Sequence, residues 1–534
     1  MVKNERGSTL LVVMLMMLVF TILGLSIIST SIGGAKRTEV REEQITDDLE
    51  SIRTLGEAVA YIKKTIETDF NKDNPDMSVS EYSTNIIEQK IIKNPYDYKI
   101  QNISNNPEYE IKQNEDFTRV LLVTSGKYKQ IVYITGMPSF LKYAVGSRGI
   151  LTLNGSTYIE KGNIYANEKL VLSNQAKYIY AGSNLVEDTF FPSVSAGENN
   201  QIDSHLFIEN EEIEYCNNMN CYSGNIKNEG SFHSLSIKDL NNAFEPFAPI
   251  FSKEDTEFVD VDIIQTFKEK LKTSGFVANN NNPTIEELIL GGMVSSSVQK
   301  ISSFENLDNS SSIKGYLYVP PAKEEGDEVD DDPNSDIYID TSNLIMSDKS
   351  KWVVIDGNAV IENIGNEIMN VSANILITGN LTIRGDIAFN STIYVLGDTT
   401  INNVNISGYD DGELILMTQG KLEIARINKF KNDVVNSIKA YLYTDNELEV
   451  AEVYAMGSYL YIEGGIFAKG NLEVNAYRGT VEDKNTHIEF VKGKKNDPTS
   501  SRLIIKNNKK LFLNQAQGLP KINRLEVMTD LMSK

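Results

Sequence analysis

Residues Leu10–Ile32 read LLVVMLMMLVFTILGLSIISTSI, the middle of a charge-free stretch that runs from Gly7 to Ala35. Lys3, Glu5 and Arg6 introduce it, and Lys36 and Arg37 close it. At about 1.5 Å per helical residue the apolar run reaches roughly 35 Å, enough to cross a hydrocarbon layer of about 30 Å. Nothing else in the 534-residue chain is apolar at that length, so the sequence predicts one membrane crossing at its N-terminal end. Past the crossing, Ile45, Leu49, Ile52, Leu55, Val59, Ile62, Ile66 and Phe70 recur at spacings of three or four, one apolar stripe on a helix. Asn74-Pro75 ends the pattern, because the residue before proline is pushed out of the α region. The expectation is one long helix, softened at Gly24 and Gly33-Gly34, with its second half covered by a sheet.

Three readings of the apolar segment compete. A cleaved secretory signal has an apolar region of about 7–15 residues and a small-residue exit. This run is longer, although Gly33-Gly34-Ala35 offers such an exit. A signal anchor needs only length and flanks. The third reading rests on Arg6-Gly7-Ser8, a basic residue and a glycine directly before the apolar run. There the sequence resembles the type IV prepilin signal, and in particular the N-terminus of PilX-type minor pilins. The resemblance covers Glu5-Arg6-Gly7-Ser8-Thr9-Leu10-Leu11-Val12-Val13 and the continuation Thr21-Ile22-Leu23-Gly24-Leu25.

That resemblance implies a prepilin peptidase cutting between Gly7 and Ser8, and methylation of Ser8 as the new terminus. It implies other pilins and the pilus assembly machinery as partners, with the body outside the cell membrane. Major pilins carry a glutamate five residues after the cut, where this chain has Val12, so a minor subunit is implied. Val12, Leu49, Ile52 and Val59 are the expected filament-packing positions on the helix. Basic residues do not decide orientation, since Lys3 and Arg6 precede the span while Lys36, Arg37 and Arg41 follow it.

A formal charge of −23 and a pI near 4.7 argue against a nucleic-acid partner, which needs Lys and Arg patches. The three His, at 205, 233 and 487, are too scattered for a His-based metal site. Cys216 and Cys221, in Cys-Asn-Asn-Met-Asn-Cys, are a candidate local disulfide in an extracytoplasmic body. A zinc site would need two more ligands, and idle thiols are the remaining reading. Glu324 to Asp336 reads EEGDEVDDDPNSD, a loop in which Asp327, Asp330, Asp332 and Asp336 are the candidate Ca²⁺ ligands. No EF-hand spacing is present and a block of like charge is usually solvated, so no cofactor is expected.

Candidate strands follow the helix at Tyr96–Ile100, Tyr109–Ile111, Arg119–Val123 and Gln130–Ile134, a small antiparallel sheet that would complete a pilin-like domain over 36–140. Then the grammar changes. Leu151-Thr152-Leu153 and Leu170-Val171-Leu172 share a pattern that returns at Gly379-Asn380-Leu381-Thr382-Ile383, Gly397-Asp398-Thr399-Thr400-Ile401 and Gly420-Lys421-Leu422-Glu423-Ile424. It continues at Asn446-Glu447-Leu448-Glu449-Val450 and Gly470-Asn471-Leu472-Glu473-Val474. A period near 20 to 25 with short alternating strands and Gly or Asn turns marks a β-solenoid; an antiparallel sandwich is the alternative.

The fold class read from the sequence is mainly β. A leader over 1–7, a transmembrane helix over 8–35 and the pilin-like domain precede first solenoid coils at 141–186. An insertion with helices near Asp260–Leu271 and Thr284–Leu290 and the acidic loop fills 187–350, and the main solenoid with a C-terminal cap fills 351–534. The expected role is a structural minor pilin or pseudopilin, displaying its solenoid at the cell surface as a spacer or an adhesin for a surface or glycan ligand. The alternatives are a polysaccharide-active enzyme and a bactofilin-like membrane-anchored scaffold. Glu423, Glu449 and Glu473 recur with the repeat as surface decoration would, and no nucleophile elbow, phosphate loop or HExxH occurs, so the expectation is not an enzyme.

Overall fold

The structure, a computed structural model, describes residues 6–533 except 74–76, 110, 112–116, 137, 198–199, 254–257, 259, 281, 306, 308–309, 321–335, 341–342, 426–435, 458, 485–486, 509–517, 520–523 and 531. Two compact units divide the chain. One comprises Met1–Gly136 with Asn523–Lys534, the other Met137–Ile522.

In the first unit a single helix runs from Arg6 to Thr65 and widens into a π-helical end over Ile66–Lys72. It passes Gly24, Gly33 and Gly34 without interruption, so the expected softening is absent from this conformation. Leu55, Ala58, Ile62, Ile66 and Phe70 are buried against an antiparallel sheet in the order Lys99–Asn102, Arg119–Ser125, Tyr128–Thr135, Glu526–Thr529. Leu121, Val123, Val132 and Ile134 supply its side of the core.

Two sequence expectations change here, and one element is added. Tyr109, read as the start of a strand over Tyr109–Ile111, closes a 3₁₀ turn over Pro107–Tyr109 instead, started by a proline that has no N–H to give a ladder. A further helical segment, Val79–Glu81 continued by Tyr82–Ile92, buries Tyr82, Ile86, Ile87 and Ile91 in the same core. The Leu525-Glu526-Val527 segment, expected to cap the solenoid, completes this sheet instead. Asn71 explains why, because its side chain donates to the Leu525 carbonyl at 2.9 Å and accepts from the Leu525 amide at 2.7 Å. Arg524 meets Glu67 at 3.1 Å beside it. The second unit is therefore inserted in the chain between two directly paired strands, with Thr135 opposite Glu526.

The second unit is a β-solenoid whose coils stack in parallel register on three faces. Face A runs Val298–Ile301, Gly315–Tyr318, Trp352–Ile355, Asn374–Ile377, Ser391–Val395 and Leu414–Thr418, then through the second halves of Asn436–Thr444 and Leu460–Ala468. It continues into Tyr143–Ser147, Asn163–Ala166, His205–Ile208 and Ile250–Ser252. Face B carries the motif read from the sequence: Leu381, Leu422, Leu472, Leu151 and Leu170 point into one core, and Ile383, Ile401, Ile424, Val453, Val474, Leu153 and Leu172 form a second row. On face C the inward row is Ile387, Ile406, Ile438, Ile462, Ile505 and Ile159. Each such side chain removed from water contributes about 1.5–3 kcal/mol, and no coil could bury its row alone.

The turn from face A to face B explains the Gly-Asn signature. The Asn358 side-chain oxygen accepts from the Asn380 amide (2.9 Å), Asn380 from Asp398 (2.8 Å) and Asp398 from Lys421 (2.8 Å). The preceding glycines stack by backbone, Gly379 donating to Gly357 at 3.0 Å and Gly397 to Gly379 at 3.1 Å. A Cβ at Gly379 would lie 2.6 Å from the Gly357 carbonyl oxygen, so only glycine allows this approach.

The register at 446–450 differs from the expectation. The strand is Ala451–Ala455 and Leu448 is 96% exposed. Asn446 accepts from the amides of Leu448 and Glu449, folding these residues into the turn and handing the inward positions to Ala451, Val453 and Ala455.

Residues 187–350, read as an insertion, contribute coils to the same stack: His205–Ile208, Ile213–Cys216, Ile250–Ser252, Val298–Ile301, Gly315–Tyr318, Ile337–Ile339 and Asn343–Ile345. The coils are not stacked in chain order. Residues 298–506 wind upward, and the N-terminal coils 143–252 sit on top of them, so that Ile466 pairs with Val145, Leu472 with Leu151 and Ile504 with Tyr158. The helices Ile263–Thr273 and Ile285–Val294 belong to the connection that carries the chain back from Ser252 to Val298. The first of them covers face A, where Lys270 lies over the Trp352 ring at 5.6 Å.

Candidate functional site

From Leu10 to Ile32 the large apolar side chains of the long helix are exposed, 44% for Val19 and 69% for Phe20 at the extremes. Among the described residues this is the one helix long and apolar enough to cross a membrane. The two threonines of the run are compatible with lipid: Thr21 donates to the Met17 carbonyl and Thr30 to that of Ser26, both at 2.7 Å. Directly after the run come Lys36, Arg37 and Arg41, all exposed.

The helix changes character between Ile52 and Leu55. Val12, Leu49 and Ile52 are exposed, at 54%, 63% and 38%, whereas Leu55 is fully buried. Val59, named with them from the sequence, is half-buried and packs into the unit's own core. The stripe is continuous in sequence, but the sheet covers only its second half. Below that point the helix is tied to the sheet's turn by Lys127 and Asp48 at 2.9 Å. Gly7 and Ser8 lie in the first turns of the helix, Arg6 being its first residue.

Cys216 and Cys221 are joined by a disulfide and both are buried. The loop they close is anchored by Gln175, whose side-chain oxygen accepts from the Cys221 amide at 3.0 Å. Bonded to each other, the two sulfurs cannot serve the zinc alternative, and His205 is engaged with Ser252 at 2.7 Å. Asp327, Asp330 and Asp332 lie outside the described residues, and Asp336 is exposed. No group of His, Cys, Asp and Glu that could hold a metal occurs among the described residues.

On the outer side of face B, Glu423, Glu452 and Glu473 occupy the same position on successive coils. Glu452 takes the place expected for Glu449, which lies in the turn. Each carboxylate has a cation at hand: Lys421 reaches Glu452 at 2.5 Å and Glu423 at 3.7 Å, and Lys177 reaches Glu473 at 2.8 Å. Burial, with Glu452 close by, pushes the Tyr454 phenol well up from its ordinary value. Its hydroxyl donates to Glu452 at 2.9 Å. The arrangement is a charge-compensated ladder on the outside of the sheet.

Among solved structures, the competence-associated pilin ComZ from Thermus thermophilus matches over 78% of this chain and 80% of its own, at 11% identity and a TM-score of 0.27. No protein-family model and no curated protein matches the chain.

Proposed function

We propose that this chain is a pilin-like, membrane-anchored subunit of a type IV pilus-like system, with its body extracytoplasmic and its solenoid displayed as a spacer or adhesin. One observation carries the reading. A single continuous helix is bare and apolar over Leu10–Ile32 and buried under an antiparallel sheet from Leu55 onward. The bare half suits lipid before assembly, when about 20 apolar residues suffice to span, and a bundle of like helices afterwards. PilX-type processing at Gly7-Ser8 supplies the step between the two states, and the absence of a carboxylate at Val12 fits a minor position.

The solenoid acts here as structure rather than catalyst. Its outward carboxylates recur with the coils and are matched by Lys421 and Lys177, which suits solubility and stacking. Co-expression with a prepilin peptidase tests the whole reading. The mature chain is expected to begin at a methylated Ser8, and Gly7→Val to leave it uncut in the membrane. A wild-type chain that keeps residues 1–7 in the presence of the peptidase would overturn the proposal.

A further inference from the structure

We propose that the junction between coils 298–506 and coils 143–252 is a joint at which the solenoid opens as two blocks before either block unfolds. At every other level the described coils follow one another in chain order. At this seam they do not, because Leu472 and Leu151 are register partners from opposite ends of the second unit. What holds the seam is therefore non-covalent.

The outer ends of the two blocks are covered and the inner ends are not. Leu235, Leu240, Ala243 and Phe244 extend the core beyond the upper coils, and Ile301 and Phe304 do so at the lower end, where Phe304 stacks on Tyr318 at 4.8 Å. A stack of coils needs a cover at each end. At the seam each block has only the other for that purpose.

The seam is also where buried asparagine and arginine side chains meet across the stack. Asn154 donates to Asn475 at 3.1 Å, and Asn475 accepts from the Lys177 amide at 3.0 Å. Arg478 donates to the carbonyls of Phe191 (3.2 Å) and Glu245 (3.0 Å), Asn507 to that of Tyr143 (3.2 Å), and Ser501 to that of Ser156. These groups are all but fully buried. An apolar seam would tolerate a slip of register, whereas these buried donors reach their acceptors across it in one register only. The same groups regain hydrogen bonds from water when the seam parts, which lowers the cost of opening there relative to an apolar coil boundary. Polar matching thus makes the joint both specific and separable.

Hydrogen exchange on the full-length protein in detergent tests this directly. The amides of Arg148, Gly149 and Ile150 donate across the seam to Ala468, Gly470 and Asn471. Those of Leu396, Gly397 and Asp398, and of Gln419, Gly420 and Lys421, occupy the same turn inside the lower block. The seam amides are expected to exchange at least ~10-fold faster than the block amides, through one cooperative opening. The variant Thr152→Cys/Glu473→Cys, which bridges two register partners, is expected to slow them to the block rate. Equal rates in the wild type would overturn the proposal. So would seam amides that stay fast in the bridged variant, since that result means local fraying rather than separation of blocks.

Discussion

The side-chain oxygen of Asn471 accepts a hydrogen bond from the amide of Ile150 at 2.8 Å, across 321 residues of chain. It is the same bond that Asn358 makes to Asn380, and Asn380 to Asp398, one coil at a time. The ladder of Gly-Asn turns crosses the seam unbroken: Gly149 donates to Gly470 at 3.2 Å, as Gly470 does to Asn446 at 3.1 Å. A local turn chemistry is thus reused to join segments from opposite ends of the second unit.

The ladder predicts unequal costs for its two residues. Asn380→Ala removes one acceptor from the Asp398 amide and is expected to lower stability by about 1–2 kcal/mol. Gly379→Ala forces a methyl to within 2.6 Å of the Gly357 carbonyl, and the stacked backbones must separate. Its cost is expected to exceed that of Asn380→Ala by at least ~1 kcal/mol, as overpacking does. Urea unfolding of the two variants side by side checks the order.

How much of this was legible follows from what each face of the solenoid shows the solvent. Face B alternates, so Leu422-Glu423-Ile424 and Leu472-Glu473-Val474 announce themselves. Face A is apolar on both sides, because Phe140, Phe258 and the helix Ile263–Thr273 cover it. Its strands, such as Leu414–Thr418, therefore lack the period-2 signal. The seam has no local signature at all, since pairing Leu472 with Leu151 is a property of two distant strands. At Asn446–Val450 the alternation reads as a strand of the repeat, and the side-chain turn at Asn446 overrides it. The helical segment after Ser78 had a readable start, a Ser78–Glu81 capping box, in front of apolar residues at helical spacing. For the site, the helix run was fully legible, while the point at which the sheet stops covering it was not.

That stopping point separates folding from association on one helix. Ile62→Ala empties a fully buried position and is expected to cost about 2–5 kcal/mol in the unfolding of the first unit. Leu49→Ala trims an exposed side chain and is expected to shift that stability by less than about 0.5 kcal/mol. If the bare stripe packs against other subunits, Leu49→Ala lowers incorporation into filaments while leaving the unfolding midpoint in place. Paired unfolding and filament-yield measurements on the two variants read both effects.

Lys349 predicts a pH dependence of opposite sign to a surface ion pair. Burial pushes its ammonium down to about 8, although it donates to Ser372 at 2.5 Å and to the Asn390 carbonyl at 2.7 Å. An unfolded lysine titrates at about 10.4. Between these values the unfolded chain holds more protons than the folded one, so this group makes stability rise with pH from about 8 to about 10.4. Below that window both states are protonated and the full penalty of burying the charge applies. Wild type is expected to gain stability relative to Lys349→Met as pH is raised from 7.5 to 10. Urea midpoints of both proteins at the two pH values measure the difference, and the subtraction removes the titration of other groups.

The last strand makes the first unit separable from the second. Thr135 and Glu526 are register partners, so the chain leaves and re-enters this sheet at neighbouring points. In a sheet with that geometry the natural link is a tight hairpin of two to a few residues, commonly Asn-Gly. Among the described residues, the returning strand is held from within the unit by Asn71 on the Leu525 backbone, Arg524 on Glu67, and the Gln130 side chain on the Asp530 carbonyl at 3.0 Å. Joining Gly136 to Arg524 through Asn-Gly is therefore expected to leave a cooperative, helix-plus-sheet unit that still inserts in the membrane. Ending the chain at Gly136 instead strips Leu525 and Val527 from the core and leaves Tyr128–Thr135 as an open edge, which invites aggregation. Circular dichroism and thermal melts of the two shortened chains distinguish the outcomes. A cooperative melt for the joined form and none for the truncated form means that the sheet needs its final strand but not the 386 residues of Met137–Ile522 that precede its return.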